Sequence, residues 1–458
     1  MTFVARITRH PIPFLPERGA DVLAAVHAPS GTAELIGGAA GSSPFLATSL
    51  GKEGAWLSPA LERAPEDGVA ELIVEAGTLS AADLNPGLRR IKRRAGLIVA
   101  LADLGGVWDL RDVTQAWTDV ADACAAAALA THVAAQARRG KVPGQTEVDA
   151  QHDGAGMVAL AMGKMGAGEL NYSSDIDLIC LFDETRFDGA ADEMEARAAF
   201  IKATRAMAAS LSDLTGDGYV FRTDLRLRPD PSVTPVCISM AAAERYYEAE
   251  GRTWERSAYI KARPCAGDLA AGARFLEALT PFIWRRQLDF ATVAETMDMR
   301  QRIKDHKGLH SQSLEGRNLK LSAGGIRDIE FFAQTRQLVA GGRDRSLREP
   351  RTVEALQALA RAEWISGEDA RALAEHYAAL REAEHRVQMI RDAQTHDLPK
   401  SVEGFDRLAR LSGESDTARY RAALAERMAE VERITGDLYR SKTGGAAMPV
   451  VSDAAQDI

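Results

Sequence analysis

Cysteine is scarce: Cys124, Cys180, Cys237 and Cys265 stand far apart in 458 residues and form no C-x-x-C pair. That spacing argues against a structural zinc site and against a disulfide framework. Aromatic residues make up only 6% of the chain while alanine is abundant, which tilts the expectation toward helix. Long apolar runs are missing: the alanine-rich stretch at 121–130 is too short for a bilayer and lies near charges. The first residues contain no charged-then-apolar leader, so a cytoplasmic location is expected. Basic excess is missing too. A net charge of −9 is the wrong sign for a general nucleic-acid binder, and neither nucleic acid nor membrane is an expected partner. The local exception, RRIKRR at 89–94, reads as a solvated helix face rather than an anion contact.

What is present is a soluble globular composition, 46% hydrophobic and 26% charged, long enough for two to four domains. Residues 1–145 read as a helical region, with Leu97, Leu101 and Leu104 at helical spacing. Residues 146–275 have strand character: MVALAMG at 157–163, DIDLICLFD at 175–183 and YVFRTDLRLRP at 219–229 read as three strands. Between the last two, a helix is expected from 190 to about 214, with Phe200, Met207 and Leu211 on one face. Helix returns over 276–440, where Ser366 and Asp369 fit a capping box ahead of Leu373, Tyr377, Leu380 and Val387. The small, polar stretch 441–458 reads as a tail or linker. The expected fold class is α+β and predominantly helical: a small mixed β-sheet flanked by N-terminal helices and a C-terminal helical bundle.

Residues 163–178, GKMGAGELNYSSDIDL, pose the chemical question. Glycine this dense beside a lysine suggests a phosphate cradle, yet the Walker pattern is absent, because Lys164 comes early and is followed by Met165. Strand alternation puts Asp175 and Asp177 on one face and Ile176, Leu178, Cys180 and Phe182 on the other. Two carboxylates about 7 Å apart along a strand repel each other unless a cation sits between them. In the third expected strand, Arg222, Asp224, Arg226 and Arg228 share a face. Carboxylates suit Mg²⁺ and guanidiniums suit phosphate oxygens, so the two strands together describe a site for a metal-bound polyphosphate. A lone D-x-D is usually a surface pair or a cap, and alternating charge is usually a solvated sheet face. The combination is what points to a site.

A Gly/Ser loop leading to a D-x-D strand, with a third aspartate on a later strand, resembles the nucleotidyltransferase superfamily that shares the DNA polymerase β palm. GKMGAGELNYSSDIDLICLFD, FRTDLRLRP, GRTWERSAYIKARP and LKLSAGGIRDIEFFAQTRQLV resemble the glutamine-synthetase adenylyltransferase/deadenylylase family more closely still. The superfamily's usual Gly-Ser pair is here Ser173-Ser174, as this family also has it. The resemblance implies that the sheet is the palm, with Asp175, Asp177 and Asp224 as catalytic Mg²⁺ ligands. It also implies that Gly163, Lys164, Gly166, Ser173, Ser174, Arg226 and Arg228 contact phosphate or nucleotide. The family carries two such halves in tandem, one attaching AMP to a tyrosine of glutamine synthetase and the other removing it by phosphorolysis to release ADP. GRTWERSAYIKARP and GGIRDIEFFAQ resemble the removing, N-terminal half. The implied partners are glutamine synthetase, ATP/ADP, phosphate and the PII signal protein, whose uridylylated form would favour removal. Adenylyl transfer from ATP is the alternative of the same chemistry. A silent PII-sensing regulatory module is the alternative of another class, and the intact aspartate triad argues against it.

Other motifs carry less. For Arg256, Lys261 and Arg263, structural pairing and ligand contact stay equally open. Gly324-Gly325 followed by Arg327, Asp328 and Glu330 reads as a loop entering a helix, with capping and interdomain ion pairs as its expected roles. His306 and His310 lack the glutamate of a zincin and are not expected to bind zinc.

Overall fold

The computed structural model describes residues 1–286 and 313–440. His306, His310 and the 441–458 tail lie outside the described residues. Helices dominate both ends of the chain, and five short strands form one mixed sheet between them. Strand β1, Met157–Ala161, is apolar and buried at all five positions, as a central strand covered on both faces must be. It pairs antiparallel with β2, Ile176–Phe182, setting Met157 opposite Phe182 and Ala161 opposite Leu178. The other edge of β1 pairs antiparallel with β5, Arg263–Gly267. Two short parallel partners share the outer edge of β2: β3, Thr223–Asp224, at its start and β4, Cys237–Ser239, at its end.

The period-two pattern of β2 sorts its side chains into two cores. Ile176, Leu178, Cys180 and Phe182 join a large cluster with the N-terminal helices, including Leu97, Leu101, Trp117 and Phe200. Ile179 and Leu181 point the other way, into a smaller cluster with Ile238, Tyr247, Tyr259 and Phe275. Asp175 and Asp177 belong to this second face at the end where the apolar cover stops. Helix 190–214 appears as Ala190–Ser212, with Phe200, Met207 and Leu211 buried as expected.

Three expectations need correction. The 121–130 alanine run belongs to a 28-residue helix, Leu110–Ala137, which by length and composition alone could cross a membrane. In the fold it is a core helix, burying Val113, Trp117, Val120, Cys124, Ala128 and Leu129. The third strand is only two residues long. Beyond Asp224 the chain curls into a turn, because the Arg228 guanidinium donates to the carbonyls of Leu225, Pro231 and Thr234. The RRIKRR segment is not a solvated face. Arg89 is 3% exposed and donates to the carbonyls of Ser210, Asp213 and Gly218, while Lys92 pairs with Asp392 at 2.6 Å. Arg93 and Arg94 share Glu53.

The C-terminal helices close around their own core of Leu319, Ile329, Leu356, Leu373, Tyr377, Leu380, Phe405 and Met428. Ser366 caps the Gly367–Met389 helix, accepting from the Asp369 amide at 2.9 Å. Gly324 has φ +71°, and a Cβ there would lie 1.8 Å from the Met428 carbonyl oxygen. Only glycine permits that approach.

Candidate active site

The start of β2 opens into a cavity of about 370 Å³. Gly163, Lys164, Ser174, Asp175 and Asp177 form one wall; Trp254, Lys261, Lys320, Arg327 and Glu330 contribute to the other. Parallel pairing of β2 with β3 sets the Asp177 backbone directly beside that of Asp224. Gly163, at φ +54°, lets the loop pass close: an added Cβ would sit 3.0 Å from Asp177 Oδ2. Burial, together with the charges of Asp224 and Asp175, pushes the Asp177 carboxyl up to about 6.

The two flanking carboxylates are held by arginines. Arg222 Nε donates to Asp175 Oδ1 at 2.8 Å, and Arg226 clasps Asp224, keeping its carboxyl below the usual range. Arg226 itself is 83% exposed, a tether open to exchange. Arg228 is occupied with loop carbonyls and lies apart from the cavity lining. Ser174 lines the cavity. Ser173 is buried: its amide donates to Gln388 Oε1 at 2.9 Å and its hydroxyl accepts from Arg222.

Lys164 reaches the cavity from a single helical turn, Gly163–Gly166. Within that turn the amides of Gly166, Ala167 and Gly168 bond to nearby carbonyls, so only its first residues have amides left for a ligand. At Gly166 a Cβ would meet the Lys261 carbonyl oxygen at 2.0 Å, so this glycine permits packing against the turn that leads into β5. Lys164 Nζ sits 3.2 Å from Glu384, and burial pushes its ammonium down to about 7 against that carboxylate's pull. Glu384 also takes Arg381 at 3.4 Å and His396.

The remaining motif cations all have partners within the protein, and Lys261 also lines the cavity. Arg256 donates to the Ile283 carbonyl, Lys261 bridges Glu169 at 3.2 Å and Glu330 at 3.5 Å, and Arg263 pairs with Asp122 at 2.7 Å. Asp328 accepts from the Gly324 amide, Glu330 takes Arg327 at 3.3 Å within the same helix, and its pair with Lys261 is the one that joins the two regions, as expected of that loop. Sequence reasoning missed Lys320 and Trp254 as cavity residues. Nothing in the local pattern of LKLSAGG or GRTWER marks them, because their position depends on how the C-terminal helices dock.

Two short parallel strand ends presenting adjacent aspartates, beneath a glycine–serine loop, define a nucleotidyltransferase-type palm. Comparison with known proteins agrees. Residues 30–278 match the family model described as glutamate-ammonia ligase adenylyltransferase, and the chain belongs to that family. Residues 297–439 match a second model, described as GlnD PII-uridylyltransferase. A bifunctional glutamine synthetase adenylyltransferase/adenylyl-removing enzyme of Xanthobacter autotrophicus is 46% identical over 93% of this chain and 43% of its own length. Proteins of the same description from Bradyrhizobium diazoefficiens and Rhodopseudomonas palustris are 45% and 44% identical, over 96% and 90% of this chain. The chain spans less than half the length of these curated relatives.

Proposed function

We propose that this chain removes AMP from the adenylylated tyrosine of glutamine synthetase by phosphorolysis, releasing ADP. The observation that carries the reading is a cation-lined cavity walled by Asp175 and Asp177, with Asp224 paired beside Asp177 on the next strand. The names of the relatives supply the two possible directions, and the likeness of GRTWERSAYIKARP and GGIRDIEFFAQ to the removing half selects between them.

Asp175, Asp177 and Asp224 suit a hard divalent cation, and the burial and the neighbouring carboxylates that raise Asp177 are what such an ion would offset. Among the described residues no three acidic, histidine or cysteine side chains already converge as a ligand set. Holding Mg²⁺ there would draw on carboxylates now paired with arginines, Asp175 with Arg222 and Asp224 with the exposed Arg226. When bound, Mg²⁺ supplies charge neutralisation at the reacting phosphorus. In the reaction an oxygen of inorganic phosphate bonds to the α-phosphorus as the bond to the tyrosyl oxygen breaks. The electron pair leaves on the phenolate, which takes up a proton. Phosphate is already an anion at neutral pH, so the chain needs no general base; a phenol of pKa about 10 is an adequate leaving group. Lys164 and the freed Arg226 stand where they can meet phosphoryl oxygens. The match of residues 297–439 supports a PII-responsive role for the C-terminal helices, with uridylylated PII favouring removal.

The test is to incubate the chain with adenylylated glutamine synthetase, phosphate and Mg²⁺ and to measure ADP, alongside incorporation of label from ATP into unmodified enzyme. Incorporation without phosphate-dependent release would overturn the reading in favour of adenylyl transfer. Asp177→Asn should lower turnover by on the order of a hundredfold or more with the melting curve preserved. A wild-type rate in that variant would remove Asp177 from the site.

A further inference from the structure

The cavity contains four cationic side chains: Lys164, Lys261, Lys320 and Arg327. Three are committed. Lys164 is held by Glu384, Lys261 by Glu169 and Glu330, and Arg327 by Glu330. Lys320 differs, having no ion pair among the described residues while being only partly exposed. Its ammonium acts on the Asp177 and Glu330 carboxylates without pairing to either, and so remains available to an anion in the cavity.

The backbone under Lys320 is fixed as firmly as the side chain is free. Asn318 Oδ1 accepts from the amides of Lys320 and Leu321 at 3.1 and 2.8 Å. The Lys320 carbonyl accepts from the Arg327 amide at 2.9 Å, so the ten-residue loop is tied at both ends. Asn318 is itself anchored to Asp397 at 2.6 Å, and the Leu319 amide to the His396 carbonyl at 2.7 Å. Leu319 is fully buried. The loop thus presents Lys320 with little conformational freedom to lose on binding. Its charge reaches across the cavity, pulling the Asp177 carboxyl down and opposing protonation of Lys164.

We propose that Lys320, with Arg327 beside it, binds the phosphoryl group next to the α-phosphate: inorganic phosphate before phosphorolysis, the β-phosphate of ADP after it. The assignment of that group as attacking phosphate rests on the function proposed above; the subsite itself rests on the geometry. The aspartates with their cation address the α-phosphate from one wall, and Lys320 addresses its neighbour from the other. The loop ahead of the C-terminal helix Ile326–Ala340 therefore supplies the part of the site that distinguishes a nucleoside diphosphate from a monophosphate.

The experiment is calorimetric titration of the chain with ADP and with AMP, each with and without Mg²⁺, for wild type, Lys320→Met and Lys320→Arg. The wild type should bind ADP at least about tenfold more tightly than AMP, the value of one charge-assisted contact. Lys320→Met should bring the two affinities within about twofold of each other by weakening ADP alone, and Lys320→Arg should keep most of the preference. Lys320→Met that retains the wild-type ratio, or a wild type without a preference, overturns the proposal. Should Lys320→Met fold poorly, Arg327→Gln, at a 48% exposed position, should narrow the same ratio, and an unchanged ratio there would count equally against it. A wild type that prefers ADP yet releases none from adenylylated glutamine synthetase would retire the phosphorolysis reading while leaving the subsite standing.

Discussion

Against the N-terminal helices the palm presents Ile176, Leu178, Cys180 and Phe182, while against the C-terminal helices it presents Lys164, Glu169, Asn171 and Lys261. The first junction is continuous core, indistinguishable from the interior of a domain. The second is a web of buried charge: Arg381 donates to Asn171 and to the Glu169 carbonyl, Glu169 accepts from the Thr352 amide, and Lys261 reaches Glu330. Apolar contact tolerates small shifts at modest cost, whereas a buried ion pair is favourable only in one geometry. The two junctions thus divide the labour. One holds the sheet together; the other registers the C-terminal helices against the reactive wall.

The largest test of that contrast is Glu384→Ala. Its carboxylate is fully buried and serves Lys164, Arg381 and His396 at once, so removal should cost about 3–5 kcal/mol in urea unfolding. A loss under 1 kcal/mol would mean water or another carboxylate replaces it, and the junction is looser than its contacts imply. Acid should weaken a second buried charge cluster, where Asp103 of the N-terminal helix Leu84–Leu104 meets His385 and Arg386 of the C-terminal helix Gly367–Met389. Burial alone would raise Asp103, but the charge of Arg386 and the hydrogen bond from His385 hold it well below the usual carboxylate range; burial lowers His385 despite Asp103. Arg9, Arg381 and Glu382 complete the surrounding charges. Below about pH 6.5 the unfolded chain takes up a proton at His385 that the folded chain resists, and below about 4 the same holds at Asp103. The melting temperature should fall as pH drops from 7.5 to 5, and His385→Gln should flatten that slope. An unaltered slope would assign the pH response elsewhere.

On the apolar side, Ile176→Val removes one methylene from a fully buried position on the face toward the N-terminal helices and should cost about 1 kcal/mol, with no pH dependence. The smallest effect belongs to Arg226→Ala. Its guanidinium is exposed, so the melting temperature should not change measurably, while affinity for Mg²⁺ should rise as Asp224 is freed. A marked loss of thermal stability would show that the Arg226–Asp224 pair is structural.

Legibility in the sequence followed the range of the interactions. β1 and β2 could be read because their apolar runs and period of two are local, and the same holds for the Ser366 cap. The third strand was overread: Arg228 bends it by bonding to carbonyls that a period-two pattern does not reveal. RRIKRR misled because its partners Glu53, Asp213 and Asp392 lie 40 to 300 residues away. The aspartates were legible as a motif, and their adjacency across β2 and β3 followed. The far wall of the cavity was not, since the placement of Lys320 depends on contacts with residues 396 and 397.

The buried charge web also sets a timetable. Lys164 and Glu384 are 220 residues apart in the chain. At ribosomal rates of about 5–20 residues per second, the palm waits roughly 10–45 s for the helix that covers it. Through that interval Lys164 and Glu169, and Lys261 once it is made, lack the C-terminal partners that later bury them. The charged edge of the palm is therefore covered later than its apolar faces, whose partners Leu97, Trp117 and Phe275 all precede Glu384 in the chain.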